Sequence, residues 1–389
     1  MATLQASIAS VEEETLKGTK NSLKTVFEIA AAMTSDDARA YQEKHTSAPA
    51  KYLVALVLCC TYLKEEKYIE ALALAKNTFE DIGGGNSRIL DGIVARLWGV
   101  ARIASSKTGE DMLEAYMLAL AINREYKNTE SITVLINAAL LNLKEREMYD
   151  EAYTFLKHTK LPEGADVGES SVFYYLSSIV YLMAGEYATA EKTITQAIVK
   201  STNTAFTLDC RKVYVLASMH QGKHPNRSFF QTHHGLEHYQ KVLLSIKSCS
   251  LEIFYQAAED SKDAFKSDGL WQAVLRLEGA VQKEHVRRIG TVYSKISLGA
   301  IAQMLGVSEE SAVFLLQKAL SEGVIAGFID TEAREYVSTE KSRREQQSLK
   351  IEEMLGIANT LTMLKKHEEA KKKTLEEMKT DMAYNEYQM

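Results

Sequence analysis

The sequence predicts an all-α-dominated fold: an α-solenoid of TPR-like helix pairs, then a winged-helix module, then a long C-terminal helix. Helix-breaking residues are scarce, since the 389 residues include only 3 prolines. Similar helix–turn–helix corners recur about every 40 residues. Near residue 286 the pattern changes to strand, helix, turn, helix and hairpin. These observations predict four regions, which span residues 1–48, 49–285, 286–340 and 341–389.

Composition and charge restrict the class of protein. The formal net charge is −6, whereas a general nucleic-acid binder needs an excess of Lys and Arg. The most apolar stretch, residues 52–63, is shorter than the roughly 20 residues of a membrane span. No secretory signal is evident at the start. The four cysteines form no C-x-x-C pair, so we expect reduced thiols in a protein of the cytoplasm and nucleus.

The N-terminal region, residues 1–48, is expected to contain at least one helix. Apolar residues recur there at helical spacing; they are Leu23, Val26, Phe27, Ile29 and Ala30. The polar pair Asp36 and Asp37, followed by Pro49, is expected to mark the end of this helix.

Four corners define the repeat of the second region. Three of them place a Tyr three residues before an Ala, at Tyr68, Tyr149 and Tyr187, and the fourth aligns at Gly109. Residues i and i+3 share a helix face, so the ring and the methyl group are expected to pack on the preceding helix. Because one helix pair cannot bury its own apolar face, stacked pairs and a curved solenoid are predicted. The alternative is an ordinary helical bundle in which this spacing is coincidental.

The third region has the element order of a winged helix. Residues 293–297 alternate like a short strand, and Leu298–Leu305 form a helix. Ser308 is a good N-cap for a second helix, which begins with acidic residues that suit the helix dipole. Residues 324–329 and 336–338 are then expected to pair as a β-hairpin.

The edges of this small sheet are the first candidate interaction surface. Little in the sequence covers them, and exposed strand edges invite pairing with another chain. The sequence therefore predicts a protein interface there. The candidate interface residues are Val324, Ile325, Phe328, Ile329, Tyr336 and Val337.

The C-terminal helix is the second candidate interaction surface. Apolar residues follow a three-and-four spacing in its first half and require a partner surface. Beyond Lys365 charged residues dominate, so the second half is expected to be solvated. The candidate contact residues are Leu349, Ile351, Met354, Leu355, Ala358, Leu361 and Leu364.

DNA binding and zinc binding are the two alternatives to an assembly role. A winged helix often reads DNA, but residues 294–340 contain three basic and seven acidic residues, so phosphate binding is disfavoured. Five histidines lie within residues 220–238, and the H-x3-H spacing occurs twice, as zinc sites require. No cysteine accompanies them, so a polar loop is the preferred interpretation. The five are His220, His224, His233, His234 and His238.

No catalytic residue, metal ligand or cofactor-binding residue is expected. The glycines at 83–85 lack the Lys-Ser/Thr of a phosphate-binding loop. No G-x-S-x-G elbow or H-E-x-x-H pair occurs in the sequence. The chain is therefore expected to bind no cofactor and to lack enzymatic activity.

Several stretches make the chain resemble the PCI-domain family. This family is shared by the proteasome lid, the COP9 signalosome and an initiation-factor complex, and the proteasome-lid members are the most similar. The stretches lie at 131–143 (SITVLINAALLNL), 267–277 (SDGLWQAVLRL), 293–305 (YSKISLGAIAQML), 316–330 (LQKALSEGVIAGFID) and 336–341 (YVSTEK).

The resemblance implies a structural role in the lid of the proteasome regulatory particle, which supports ATP-dependent degradation of ubiquitinated proteins. It implies other PCI subunits of the lid as partners, with winged helices paired edge to edge and C-terminal helices gathered in one bundle. It also implies contact with a small acidic, disordered lid subunit. No nucleic acid and no membrane are expected as partners. The alternatives are the equivalent PCI subunit of the COP9 signalosome and a winged-helix nucleic-acid binder.

Overall fold

A computed structural model describes residues 5–6, 8–9, 16–44, 48–82, 88–339, 354–355, 358–359 and 362. The chain divides into two compact units after Val281. The predicted fold class is confirmed, because paired helices precede a winged helix. The division falls within helix α17 (Glu278–Val292), which runs through the expected boundary at 285/286.

The first unit is built from helices. Their bounds are α1 Leu16–Ala32, α2 Ser35–Lys44, α3 Ala48–Lys64, α4 Tyr68–Ile82, α5 Asp91–Thr108, α6 Leu113–Tyr126, α7 Thr129–Glu145, α8 Tyr149–His158, α9 Val167–Ala184, α10 Tyr187–Lys200, α11 Thr204–His220, α12 Arg227–Thr232, α13 Glu237–Ser248, α14 Leu251–Asp260, α15 Lys262–Ser267 and α16 Trp271–Leu275.

The helices of this unit form two layers. The odd-numbered helices α3, α5, α7, α9 and α11 pack successively on one another, and α4, α8 and α10 each pack against both odd-numbered neighbours. Helix α7 is therefore buried around most of its circumference, whereas α10 buries only Ala190, Ile194 and Ala197. This is the arrangement in which each helix pair completes its core on the next pair.

The Tyr–Ala corners lie where the even-numbered helices begin. Ala71, Ala152 and Ala190 are fully buried, and the tyrosines three residues earlier open α4, α8 and α10. The alignment at Gly109 is wrong, because Gly109 ends α5 in a left-handed conformation and α6 begins only at Leu113.

The turns that follow α3, α5, α7, α9 and α11 each contain a residue with positive φ. The turns after α5, α9 and α11 use Gly109, Gly185 and Gly222, but those after α3 and α7 use Glu66 and Glu147. A left-handed conformation costs a residue with a Cβ roughly 1 kcal/mol, a cost that glycine avoids. The turns at Glu66 and Glu147 therefore carry local backbone strain that the turns with glycine avoid.

The N-terminal region contains α1 and α2, in agreement with the expectation of at least one helix. Leu23, Val26 and Ile29 of α1 are buried, whereas Phe27 is exposed. Asp36 and Asp37 do not end a helix, because they lie in the first turn of α2. Negative charge at this position favours a helix start through the dipole, which explains the error.

A partly buried ion pair joins three of the stacked helices. The Arg102 guanidinium of α5 binds both carboxylate oxygens of Glu169 in α9, at 2.7 and 3.1 Å. The Asn137 amide of α7 donates to the same carboxylate at 2.7 Å. Burial opposes ionisation of Glu169, but Arg102 and Asn137 outweigh it and lower the pKa of Glu169.

The second unit contains the winged helix. After α17 come β1 (Lys295–Ser297), α18 (Leu298–Leu305), α19 (Glu309–Ser321), β2 (Gly327–Asp330) and β3 (Glu335–Ser338). The Ser297 and Ser308 side chains cap α18 and α19 by accepting from Ala300 and Ser311 N–H groups. The second strand begins at Gly327 and not at residue 324, since Val324 and Ile325 lie in the preceding turn and pack towards the core.

The three strands form an antiparallel sheet in the order β1–β3–β2. One row across the sheet pairs Ile296 with Tyr336 and Tyr336 with Ile329. Ile296 and Tyr336 are buried, so this face covers the core. Alternate residues point to the opposite face. Because β3 is central, residues 336–338 are not a free edge, which corrects the sequence prediction.

Exchanging residues in the turns separates backbone strain from packing. Glu147→Gly is expected to raise the free energy of unfolding by about 1 kcal/mol, because Glu147 is exposed and has a φ of 59°. Gly185→Ala should lower it by about 1 kcal/mol, although a Cβ there would meet no atom within 4 Å. Urea unfolding measures both values. A stabilising Gly185→Ala would contradict the strain argument.

The ion pair between helices predicts unequal effects for two arginines of α5. Arg102→Met should lower the free energy of unfolding by about 2 kcal/mol, because it leaves the Glu169 carboxylate partly buried without its counter-charge. Arg96→Met is the matched control, since Arg96 lies 4.0 Å from a half-exposed Glu130, and should cost under about 1 kcal/mol. Chemical denaturation measures the free energy of unfolding of both variants. Equal losses in Arg102→Met and Arg96→Met would contradict the assigned role of Glu169.

Candidate protein-interaction surfaces

The outward face of the sheet presents an apolar pair. Phe328 of β2 lies opposite Val337 of β3, and Val337 lies opposite Lys295 of β1. The Phe328 side chain is 53% exposed, which is high for a large aromatic group on a sheet. Lys295 Nζ lies 2.6 Å from Glu335 Oε2, and this hydrogen bond raises the pKa of Lys295. Phe328 and Val337, both predicted as contacts, are therefore flanked by a charged pair.

Two of the predicted contact residues serve the core instead. Ile325 and Tyr336 are 3% and 0% exposed, and the Tyr336 hydroxyl donates to the Ala326 carbonyl at 3.1 Å. Gly290 of α17 allows this packing, because a Cβ there would lie 2.8 Å from an Ile325 methyl carbon. These two side chains are not available to a partner, which corrects the sequence prediction. Val324 and Ile329 are partly buried against the same core.

Among the described strands, β2 has an edge that no other strand pairs with. The Ser338 and Thr339 N–H groups donate to Ser294 and Ala326 carbonyls on opposite sides of β3. Since hydrogen-bonding groups alternate in direction along an antiparallel strand, Phe328 and Asp330 face β3. The N–H and C=O groups of Ile329 therefore point away from the sheet.

The two outer strands differ as docking edges. Strand β1 has three residues and carries Lys295, a charge of the kind that protects edges from pairing. Strand β2 has four residues, and its one charged side chain, Asp330, accepts from Glu332 and Ala333 N–H groups within its own turn. Strand β2 is therefore the more favourable edge for a partner strand.

The second helix of the winged helix is acidic where a DNA-reading helix approaches bases. Glu309 and Glu310 occupy the first turn of α19. Arg334 pairs with Glu309 at 2.7 Å, so this cation is already engaged. Phe314 on α19 is 64% exposed and was not identified from the sequence, because it lies next to the apolar stripe of its helix and not within it.

The C-terminal candidate residues are only partly described. Met354, Leu355 and Ala358 are helical and exposed, which is compatible with an unfilled contact surface. Leu349, Ile351, Leu361 and Leu364 lie outside the described residues, as do the glycines at 83–85.

The histidines of residues 220–238 contact different neighbours and do not meet at a common site. His220 stacks on Tyr187 with 4.3 Å between ring centroids, and burial lowers its pKa to about 4. His238 Nδ1 lies 2.9 Å from Ser261 Oγ, and His233 packs edge-on against Phe229. No group of three His, Cys, Asp or Glu residues that could hold a metal occurs in the described part of the chain.

The buried cysteines are unreactive thiols. Burial raises the pKa of Cys60 and of Cys210 to about 12, so neither thiol is activated as a nucleophile.

None of the described helices combines the length and apolar character needed to cross a bilayer.

A groove on the first unit was not predicted from the sequence. It has a volume of about 500 Å³ and lies between α1, α3, α5 and α7. Its lining comes from helices far apart in sequence, so no local motif marks it. Apolar residues of the lining include Val26, Leu56, Val100, Ile103 and Val134.

Comparison with known proteins agrees with this architecture. Residues 3–242 match the family model described as PSMD3-like, N-terminal TPR repeats, and residues 239–340 match the PCI domain. A probable 26S proteasome non-ATPase regulatory subunit 3 from Anopheles stephensi is 27% identical over 74% of this chain and 59% of its own length. The 26S proteasome non-ATPase regulatory subunit 3 from Dictyostelium discoideum is 25% identical over the same shares of the two chains.

A probable subunit of the same name from Drosophila melanogaster is 29% identical over 63% of this chain and 51% of its own. The chain thus spans less than two thirds of the length of these relatives. The family model nevertheless covers more than half of the chain, through the stacked helix pairs described above. The chain therefore belongs to the family with PSMD3-like N-terminal TPR repeats and carries a PCI domain.

Proposed function

We propose that this chain is a non-catalytic scaffold subunit of the 26S proteasome regulatory particle lid. In this role it supports ATP-dependent degradation of ubiquitinated proteins by holding other subunits in place. The single observation that carries the proposal is the open sheet of the winged helix, with its free β2 edge and exposed Phe328. The relatives named as regulatory subunit 3 support the proteasome over the COP9 signalosome.

The proposed contact is strand addition at β2. A partner strand would hydrogen-bond with the outward groups of Ile329, and its side chains would cover Phe328 and Val337. Main-chain hydrogen bonds supply affinity in this mode, and the apolar pair supplies specificity. The partners are other PCI subunits of the lid.

The C-terminal helix is the second proposed contact. Its apolar stripe, from Leu349 to Leu364, would enter a bundle formed with the C-terminal helices of sister subunits. The exposure of Met354 and Leu355 supports this part of the proposal. A small acidic, disordered lid subunit is a further proposed partner. The proposed location is the cytoplasm and nucleus, where the 26S proteasome acts.

The acidic start of α19 argues against the nucleic-acid alternative. A duplex placed against this helix would bring phosphates close to Glu309 and Glu310, and repulsion would oppose binding. Tight binding in a gel-shift assay at moderate salt would overturn this conclusion.

A charge at Phe328 should weaken assembly. Affinity-tagged chain carrying Phe328→Glu is expected to recover lid subunits and proteasomal ATPases about tenfold less well than the unchanged chain, because a central aromatic contact is lost. Quantitative mass spectrometry of the co-purified proteins measures this. Leu355→Glu in the same assay examines the C-terminal contact.

Phe314→Glu provides the matched control for this assay. It introduces the same charge at an aromatic residue of similar exposure on α19, away from the sheet. Recovery with Phe314→Glu should equal that of the unchanged chain. Equal recovery with Phe328→Glu would contradict the sheet contact, and recovery of signalosome subunits without ATPases would favour that complex instead.

Hydrogen exchange distinguishes the two edges of the sheet. In the isolated chain the Ile329 amide should exchange faster than those of Phe328 and Asp330, which face β3. Assembly should slow exchange at Ile329 and leave the outward amides of Lys295 and Ser297 unchanged. Mass spectrometry with single-residue fragmentation measures these rates. Protection on β1 alone would show that the wrong edge is assigned.

A further inference from the structure

A small polar cavity lies within the first unit, apart from the surfaces described above. Its volume is about 190 Å³, and it is enclosed by α7, α9, α11 and the turn that follows α15. Each of these elements contributes a polar group: Lys144, Tyr175, the pair Asp209 and Lys212, and Asp268. Two lysines thus share one cavity.

Both carboxylates of the cavity form ion pairs with the same lysine, Lys212. Lys212 Nζ lies 2.6 Å from Asp268 Oδ1 and 3.0 Å from Asp209 Oδ1. The Tyr239 hydroxyl donates to the other oxygen of Asp268 at 2.7 Å. Burial alone would lower the pKa of Lys212, but the hydrogen bonds to Asp268 and Asp209 raise it.

The second lysine, Lys144, has a different environment. Its Nζ lies 5.8 Å from the centroid of the Tyr175 ring, and none of the described carboxylates forms an ion pair with it. Gly269 lies beside the amine, since a Cβ at that position would be in van der Waals contact with Nζ at 3.8 Å. Burial lowers the pKa of Lys144, although the nearby carboxylates of Glu145, Asp209 and Asp268 oppose the shift.

These environments divide the roles of the two amines. Lys212 is held as a paired ammonium, which is not nucleophilic. Lys144 is desolvated and unpaired, so its neutral form is more accessible, and a neutral lysine amine is the form that attacks carbonyl carbon. The cavity leaves room beside it for a group of a few heavy atoms.

We propose that Lys144 is an acyl-acceptor site, which takes a small neutral acyl group from a thioester. The neutral Nζ attacks the thioester carbonyl carbon, the new N–C bond forms, and the C–S bond breaks. The thiolate leaves with the electron pair and takes up the proton that nitrogen loses. The product amide removes a poorly solvated positive charge from the cavity. An acyl group with its own carboxylate is disfavoured by Asp209 and Asp268.

The test uses the full chain and acetyl-coenzyme A near neutral pH, with acetylation quantified by peptide mass spectrometry. Lys212 is the internal control, since it lines the same cavity and meets the same reagent. Lys144 should acetylate at least about tenfold faster, because Lys212 is held as a paired ammonium by two carboxylates and Lys144 is not. Equal rates, or faster reaction at Lys212, would overturn the proposal. Exposed Lys247 reports the activity of the reagent.

Two further measurements test the explanation. Asp268→Asn removes the negative charge that lies 2.6 Å from Lys212 Nζ. It should therefore raise the acetylation rate of Lys212 and narrow the ratio of the Lys144 rate to the Lys212 rate. Succinyl-coenzyme A should modify Lys144 less than acetyl-coenzyme A does, relative to Lys247. An unchanged ratio in Asp268→Asn, or equal succinylation, would contradict the electrostatic argument. Circular dichroism verifies that the variant is folded. This outcome is independent of the proposed assembly role.

Discussion

One constraint governs the first unit: a helix pair with apolar residues on both faces of one helix cannot bury them within the pair. The stack resolves this by placing α7 between α5 and α9, with α6 and α8 against it. The even-numbered helices meet this layer through small residues such as Ala71, Ala152 and Ala190, which allow close approach. A carboxylate trapped in the stack must then be satisfied by neighbouring helices, as Glu169 of α9 is by Arg102 of α5 and by the Asn137 amide of α7. Removing an interior helix pair would expose the apolar faces of the helix pairs on either side of it.

The second unit buries apolar side chains on only one face of its sheet. Tyr336, Ile325 and Ile296 fill the space between the sheet and its helices, and Gly290 permits the close contact. The opposite face carries Phe328 and Val337 with no cover from the described part of the chain. The proposed assembly role rests on this asymmetry, since removal of apolar surface from water favours association with a partner that covers it. The same sheet thus stabilises its own unit through one face, and the other face and the β2 edge are the proposed contacts with partners.

The cavity around Lys144 follows from the same stacking. The solenoid brings together residues from α7, α9, α11 and the turn after α15, which are separated by more than one helix pair in sequence. Asp209 and Asp268 converge on Lys212, and Lys144 is left beside an aromatic ring. Two residues of one type thereby acquire opposite electrostatic environments within a single cavity. No local pattern in the sequence distinguishes them, because the difference arises only when the helices are stacked.

The sequence by itself determined the class of fold, the recurring helix pairs, the winged-helix order and the helix cap at Ser308. These depend on interactions within a few residues: helical periodicity, side-chain capping and the scarcity of proline. Tertiary structure alone decided which predicted interface side chains are buried. Ile325 and Tyr336 look like Phe328 and Val337 in sequence, but strand order places β3 in the centre of the sheet and turns Tyr336 towards the core. The histidines were likewise separated by helix packing and not by their spacing. Strand order and helix contacts depend on residues distant in sequence, and no local pattern encodes them.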